Sequence, residues 1–110
     1  MNVSCCLNFT LDILPMSQKF YFYILECSDR SKYYGHTNDL KNRLYRHSRG
    51  LVNSTKNKRP IELVYYEDFQ NRSEAYKRER MFKNGKTRKK TIQELIDLFP
   101  KAKCQGFNSH

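Results

Sequence analysis

The chain has 110 residues, of which 21 are Lys or Arg and 11 are Asp or Glu, so its formal net charge at pH 7 is +10. This length suits one domain with a modest hydrophobic core. Eight tyrosines and seven phenylalanines argue against a basic disordered tail, because such tails are poor in aromatic residues.

Residues 1–18 are expected to be a dispensable leader or extension. Residues 1–15 lack a positively charged start and are interrupted by Asp12, so they suit neither a signal peptide nor a membrane span. Met16 and Ser17 resemble an ordinary protein start. The four cysteines have no metal-site spacing. We therefore expect reduced thiols, a cytoplasmic location and no association with a membrane.

The next segment predicts a β-hairpin. FYFYILEC, from Phe20 to Cys27, has aromatic and branched residues at both odd and even positions, which predicts a strand buried on both faces. Ser28 to Ser31 has turn chemistry, and Lys32 to Thr37 is the expected returning strand.

The rest of the chain predicts a helix, a third strand and two more helices. The first helix covers about Leu40 to Arg49, is capped by Asn38 or Asp39, and precedes a basic loop. The later expectations are a strand at 61–69, helices at about 71–83 and 88–99, and a loose tail at 100–110. The order ββαβαα indicates an α+β domain at 19–99, with helices packed on a three-stranded, mostly antiparallel sheet.

The positive charge is clustered. Residues 41–59 contain seven Lys or Arg and no acid, and residues 77–90 contain eight with Glu79 as the one acid. Basic patches on a folded domain indicate a polyanionic partner, usually nucleic acid. The alternative is charge that only keeps the protein soluble.

Three polar residues occupy informative helical positions. Arg43 and His47 are four residues apart and share one helix face. Glu79 lies in the apolar stripe of Ala75 and Phe82, and a carboxylate there must be paired, hydrogen-bonded or bound to a cation. Spacing alone leaves two explanations open: a buried ion pair with Arg43 or another base, and a functional site.

Several motifs together resemble the GIY-YIG nuclease superfamily. YFY at Tyr21 to Tyr23 and KYYG at Lys32 to Gly35 are similar to its paired signature. The superfamily also has an arginine in the following helix, often with a histidine one turn later, and a glutamate on a later helix. Segments like STKNKRPIELVYYE and KTRKKTIQELI occur in its small stand-alone members, so the resemblance covers about residues 19–98.

This chain departs from the family pattern in its motifs. Tyr21 and Phe22 stand where the first motif has Gly and Ile, and His36 follows Gly35. His36 could contact phosphate or merely fill the sheet surface. The family also has an asparagine further along the chain, and Asn84 is the nearest candidate for it here but a poor match.

The resemblance implies a metal-dependent endonuclease acting on DNA, structure-directed and related to repair. Glu79 would bind a single Mg²⁺ or Mn²⁺ ion, and Arg43 would hold the phosphate. Tyr23 and Tyr33 would both belong to the site, with the base left open between them, and His47 would shuttle a proton or contact phosphate. The expected nucleic-acid contacts are Gly35, His36, Lys56, Lys58, Arg59, Lys83, Lys86, Arg88 and Lys89.

Two other functions stay open. One is a basic nucleic-acid-binding module, for DNA or RNA, that keeps the fold with little or no catalysis. The other is a domain that needs a protein partner to direct it to its substrate.

One geometric requirement follows from placing both tyrosines in one site. Tyr23 and Tyr33 must share a face of the hairpin, so paired residue numbers must sum to an even number. A regular four-residue loop at Ser28 to Ser31 is then forbidden, and an odd loop or a bulge is required.

Overall fold

The computed structural model describes residues 19–108, so the expected leader, with Cys5 and Cys6, and residues 109–110 lie outside it. The described chain has strands β1 (Phe20–Glu26), β2 (Lys32–Thr37) and β3 (Glu62–Phe69), and helices α1 (Leu40–Ser48), α2 (Arg72–Lys83), α3 (Lys89–Leu98) and α4 (Lys101–Asn108). A short 3₁₀ turn, Lys56–Lys58, lies in the basic loop. The predicted α+β class is confirmed.

The sheet has the strand order β2-β1-β3, and both pairings are antiparallel. The central position of β1 explains its composition. Phe22 and Ile24 are buried on one face of the sheet, and Tyr23 and Leu25 are buried on the other. The predicted burial of this strand on both faces is therefore confirmed.

The register of the hairpin satisfies the geometric requirement. Tyr23 pairs with Gly35 and Leu25 pairs with Tyr33, so each pair of residue numbers sums to 58. Five residues, 27–31, separate the last paired residues of the two strands. Arg30 adopts the left-handed conformation at φ 72°, which closes this odd loop. The prediction that Tyr23 and Tyr33 share a face is confirmed.

The helices cover both faces of the sheet. On the Phe22 face, α2 and α3 contribute Phe82, Ile92 and Ile96 to the core. On the Tyr23 face, α1 contributes Leu40 and Leu44, and α4 contributes Cys104. The cap of α1 is Asp39 and the cap of α2 is Asn71, and each side chain accepts a backbone N–H. In residues 19–108 no helix is both long and apolar enough to cross a membrane.

The expectation of a loose segment after Pro100 is wrong for the part that the structure describes. Lys101–Asn108 forms α4, with Cys104 buried and the Phe107 ring 5.5 Å from that of Tyr66. The Asn108 amide accepts from the Leu63 N–H at 2.9 Å and donates to the Leu63 carbonyl at 3.2 Å. These contacts stabilise a helix whose own sequence pattern is weak.

Candidate active site

A polar cleft of about 280 Å³ lies at the outer edge of β2. It is lined by Tyr23, Tyr33, Gly35, His36, Thr37, Asn38, Arg43, Arg72 and Glu79. The Tyr33 side chain lies on the α1 side of the sheet, where Gly35 faces the Tyr23 ring, whereas the His36 side chain lies on the α2 side. Because β2 is an edge strand, a cleft lined from both faces must extend across that edge.

Gly35 leaves room for the ring of Tyr23. The two residues are cross-strand partners, and a Cβ atom built on Gly35 would lie 2.6 Å from Tyr23 Oη and 2.7 Å from Cζ. Real Cβ atoms do not approach other atoms so closely, so any side chain at this position would displace the ring. The glycine of KYYG thus leaves the space that the Tyr23 ring occupies at the cleft.

The Tyr23 hydroxyl is the first member of a buried hydrogen-bonded chain. Tyr23 Oη lies 3.2 Å from His47 Nε2, and His47 Nδ1 lies 2.8 Å from Thr55 Oγ1. Burial, and secondarily the positive charge of Arg43, lowers the pKa of His47 to about 4. Burial, and then the Tyr33 phenol, raises the pKa of Tyr23 above its ordinary range, with Arg43 opposing the shift. At neutral pH the pair is therefore a phenol beside a neutral imidazole.

Glu79 is buried on α2 and has two partners. Its Oε1 accepts from His36 Nδ1 at 2.6 Å, and its Oε2 accepts from Lys83 Nζ at 2.8 Å. Burial alone would raise the pKa of the Glu79 carboxyl, but the hydrogen bonds from Lys83 and His36 outweigh it and lower the pKa. Glu79 is thus an anion at neutral pH. The basic partners of the Glu79 carboxylate are Lys83, one turn along the helix, and His36 on β2, and not Arg43.

Two arginines reach the cleft. Arg43 comes from α1 and Arg72 from the first turn of α2. Within residues 19–108, neither of them is among the residues that form an ion pair with a carboxylate. The Arg72 guanidinium carbon lies 4.9 Å from the centre of the Phe20 ring. Both guanidinium groups are suited to bind an anionic group in the cleft.

The donor set of the cleft fits a weakly held divalent ion better than a structural metal. In the described chain, no group of three or more His, Cys, Asp or Glu residues could hold a metal ion. Glu79 is the one carboxylate that lines the cleft, and each of its oxygens has lone pairs beyond the one used by His36 or Lys83. Mg²⁺ commonly binds through one or two carboxylates, with water and substrate phosphate as its other ligands.

The other expected nucleic-acid contacts are spread over the molecule. Lys83 lies beside the cleft, with Nζ 5.8 Å from the centre of the Tyr33 ring. Arg59 donates to the carbonyls of Lys56 and Ser48 at the end of α1, and none of Lys56, Lys58 and Arg59 lines the cleft.

The basic residues beyond α2 are also outside the cleft. Lys86 and Arg88 precede α3, and Lys89 lines a different cavity together with Arg30 and Lys32. Asn84 is the C-cap of α2 and does not line the cleft, whereas Asn38 does. His36 does more than fill the sheet surface, because it lines the cleft and its Nδ1 binds Glu79, and its expected contact with phosphate stays a prediction.

Sequence reasoning missed Arg72, Asn38 and Thr55. Arg72 precedes Glu79 by seven residues on one helix, so helical spacing could have placed the two on one face. Thr55 had no such signal, because a folded loop and not a periodic element brings it to His47.

Comparison with known proteins identifies the family. Residues 19–93 match the GIY-YIG catalytic domain. The UPF0213 protein of Pediococcus pentosaceus is 41% identical over 83 residues, which cover 74% of this chain and 86% of that protein. A UPF0213 protein of Bacillus pumilus is 44% identical over 73 residues, which cover 66% of this chain and 74% of that protein.

A solved structure is also similar to this chain. The solution NMR structure of a UPF0213 protein from Bacillus halodurans has 32% identity and a TM-score of 0.47, and the match covers 73% of this chain and 84% of that one. The family match spans all three strands, α1, α2 and the residues that line the cleft. The chain therefore belongs to the GIY-YIG catalytic-domain family, which is a family of nucleases.

Proposed function

We propose that this protein is a divalent-metal-dependent endonuclease that hydrolyses phosphodiester bonds in DNA. The supporting observation is the meeting of three kinds of group in one polar cleft: the Tyr23 phenol, which is hydrogen-bonded to the buried His47, the guanidinium groups of Arg43 and Arg72, and the ionised Glu79. Phosphodiester hydrolysis needs such a set, because an anionic substrate must be held while a water molecule loses a proton.

The arginines bind the scissile phosphate in this proposal. Arg43 approaches from α1 and Arg72 from α2, so a phosphate between them would meet guanidinium groups from two sides. A guanidinium group can bind two phosphate oxygens through two parallel hydrogen bonds, and it stabilises the negative charge that develops in the transition state.

Tyr23 and His47 move the proton. The attacking water oxygen forms a bond to phosphorus as the bond to the leaving oxygen breaks, and the proton that this water loses is later returned to the leaving oxygen through solvent. The water gives its proton to Tyr23 Oη while the Tyr23 proton passes to His47 Nε2, which lies 3.2 Å away. This hydrogen bond gives the Tyr23 phenol a partner for its proton, which supports Tyr23 over Tyr33 as the base. Burial disfavours both a free phenolate at Tyr23 and a lasting imidazolium at His47, so in this proposal the proton passes through the pair only as the transition state forms.

Glu79 would hold the Mg²⁺ or Mn²⁺ ion at the edge of the cleft. A bound ion supplies charge stabilisation at the non-bridging and leaving oxygens. Lys83 and His36 donate hydrogen bonds to the Glu79 carboxylate, which keep it ionised and hold its orientation, as residues that hydrogen-bond to metal ligands do.

A cleavage assay with two paired variants tests this function. Plasmid, single-stranded, flapped and branched DNA are incubated with Mg²⁺ or Mn²⁺, with a chelator control and matched RNA substrates. Glu79→Gln removes the carboxylate. Lys83→Gln breaks the same ion pair but keeps the Glu79 carboxylate. We expect Glu79→Gln to lose cutting by orders of magnitude and Lys83→Gln to retain chelator-sensitive cutting.

Thermal melts of both variants separate catalysis from folding. The Lys83 side chain is 46% exposed, so its pair with Glu79 should contribute less than about 1 kcal/mol. Lys83→Gln should therefore stay folded, and Glu79→Gln should do so because glutamine keeps the side-chain size and an acceptor oxygen for His36. Full cutting by a folded Glu79→Gln protein would refute the proposed role of Glu79.

One observation favours a second candidate, a nucleic-acid-binding module without catalysis. Both Glu79 oxygens already accept hydrogen bonds, which is what a purely structural carboxylate would show. This candidate predicts salt-sensitive binding with no chelator-sensitive cutting of any substrate. DNA as substrate, a structure-directed repair role, a cytoplasmic location and a directing protein partner rest on the family likeness and belong to the proposal.

A further inference from the structure

Tyr76 is an exposed aromatic residue beside the cleft. It lies on α2, is 45% exposed, and has its ring 5.6 Å from that of His36 in an edge-on arrangement. The guanidinium carbon of Arg80 lies 5.8 Å from the centre of the same ring. His36 in turn binds Glu79, so the Tyr76 ring is positioned by a residue that also positions the candidate metal ligand.

The spacing on α2 places Tyr76 between the groups that would bind phosphate. Arg72, Tyr76, Glu79 and Lys83 recur at intervals of four, three and four residues, which puts them along one side of the helix. From Arg72 to Lys83 this side extends for about 16 Å at 1.5 Å per residue. Stacked nucleotides of one strand advance about 3.4 Å each, so the stripe is long enough for several of them.

We propose that Tyr76 stacks an unpaired nucleobase next to the phosphate held by Arg72 and Arg43. Exposed aromatic faces bind bases that have left the helical stack, and a neighbouring arginine strengthens such contacts. Bases inside a duplex have both faces covered by their neighbours. The preferred ligand is therefore single-stranded or splayed nucleic acid at this position. The inference rests on the proposed function for the identity of the bound phosphate.

Tyr45 provides a matched control. It is 46% exposed on α1 and has the Arg49 guanidinium carbon 5.6 Å from its ring, so its exposure and its arginine neighbour resemble those of Tyr76. The Tyr76 ring contacts His36, which lines the cleft, whereas Tyr45 has no ring contact with a cleft residue in the part of the chain that the structure describes. A stacking site should depend on Tyr76 and not on Tyr45.

The test measures binding without cutting. Fluorescence anisotropy in the presence of a chelator gives Kd for a labelled single-stranded DNA oligonucleotide and for the matching duplex, over a range of salt concentrations. We expect Tyr76→Ala to weaken single-strand binding roughly 5- to 150-fold and to leave duplex binding unchanged. Because no charge is lost, the slope of log Kd against log salt should stay the same. Tyr76→Phe should retain the affinity, and Tyr45→Ala should match the unmodified protein.

Three results would overturn the stacking role. They are a Tyr76→Ala affinity equal to that of Tyr45→Ala, an equal loss for duplex and single strand, and no single-strand binding by the unmodified protein. Cutting does not enter this measurement. A protein that cuts nothing but shows the Tyr76 effect would refute the endonuclease and keep the stacking site. A protein that cuts but lacks the effect would do the reverse.

Discussion

Mild acid should destabilise the folded protein through His47. This imidazole is fully buried, and its folded-state pKa is about 4, against an ordinary value of 6.5. Between these values the unfolded chain binds a proton at His47 and the folded chain does not, so the free energy of unfolding falls as pH falls. The difference of about 2.5 pKa units corresponds to roughly 3 kcal/mol, most of it lost between about pH 6.5 and pH 4.

Glu79 acts in a separate pH range. Its carboxyl pKa is lowered, so its stabilisation is present above the ordinary carboxyl pKa and is lost only as pH falls through the still lower folded value. A fall in the free energy of unfolding at about pH 5 to 6 therefore reports His47. A fall below about pH 4 reports Glu79 and other carboxylates.

Urea unfolding at a series of pH values measures the effect. The native protein should lose stability steeply from about pH 6.5 downward, whereas His47→Gln should be less stable throughout and nearly flat in that window. Thr55→Ser is the matched control, because it loses a methyl group but keeps the hydroxyl at His47 Nδ1. It should be weakened and still show the native slope.

Two results would contradict this reasoning. They are a flat native profile between about pH 6.5 and pH 4 and an unchanged slope in His47→Gln. Either would mean that His47 is not held neutral by burial. The proton relay from Tyr23 would then lose its acceptor.

Further predictions concern the cleft, the sheet edge and the basic segment. Gly35→Ala should destabilise the protein by about 1–3 kcal/mol and stop cutting, measured by thermal melts and cleavage, because the new Cβ displaces Tyr23. Asn108→Ala should cost about 1–3 kcal/mol in urea unfolding, because the Leu63 backbone loses its partners, and an unchanged midpoint would contradict this. Charge reversal at Lys86, Arg88 and Lys89 should weaken binding to nucleic acids of all sequences and flatten the dependence of Kd on salt concentration. An unchanged salt slope would mean that the binding face lies elsewhere.

The strands were predictable because their patterns are strong and local. FYFYILEC has apolar residues at both parities, and the central position of β1 is the physical reason. The sequence does not predict helix α4, because Pro100 indicates the end of the preceding helix. Proline also suits the first turn of a helix, where its missing N–H has no partner to lose. The contacts of Cys104 and Asn108 with the sheet then decide the conformation.

The site shows the same division between local and distant information. The resemblance singled out Tyr23, Tyr33, Arg43 and Glu79, and these four residues line one cleft. An ion pair with Arg43 or another base was one of the two explanations left open for Glu79, and helical spacing could have indicated Lys83 as that base. His36 is 43 residues from Glu79, and this contact depends on how α2 packs against β2. Such a contact has no periodic signal in a single sequence.

The outer edge of β2, where the cleft lies, also bears on the tendency of the protein to aggregate at high concentration. A bare strand edge invites pairing with another chain, and proteins usually protect such edges with a covering element or with lysines. A cover over β2 would close the cleft, and within residues 19–108 the second means is present, with Lys32 on the strand and Lys83 beside it. The charges that would attract a polyanion also keep two copies apart. Neutralising them to weaken substrate binding would therefore be expected to bring aggregation, and the two effects must be measured together.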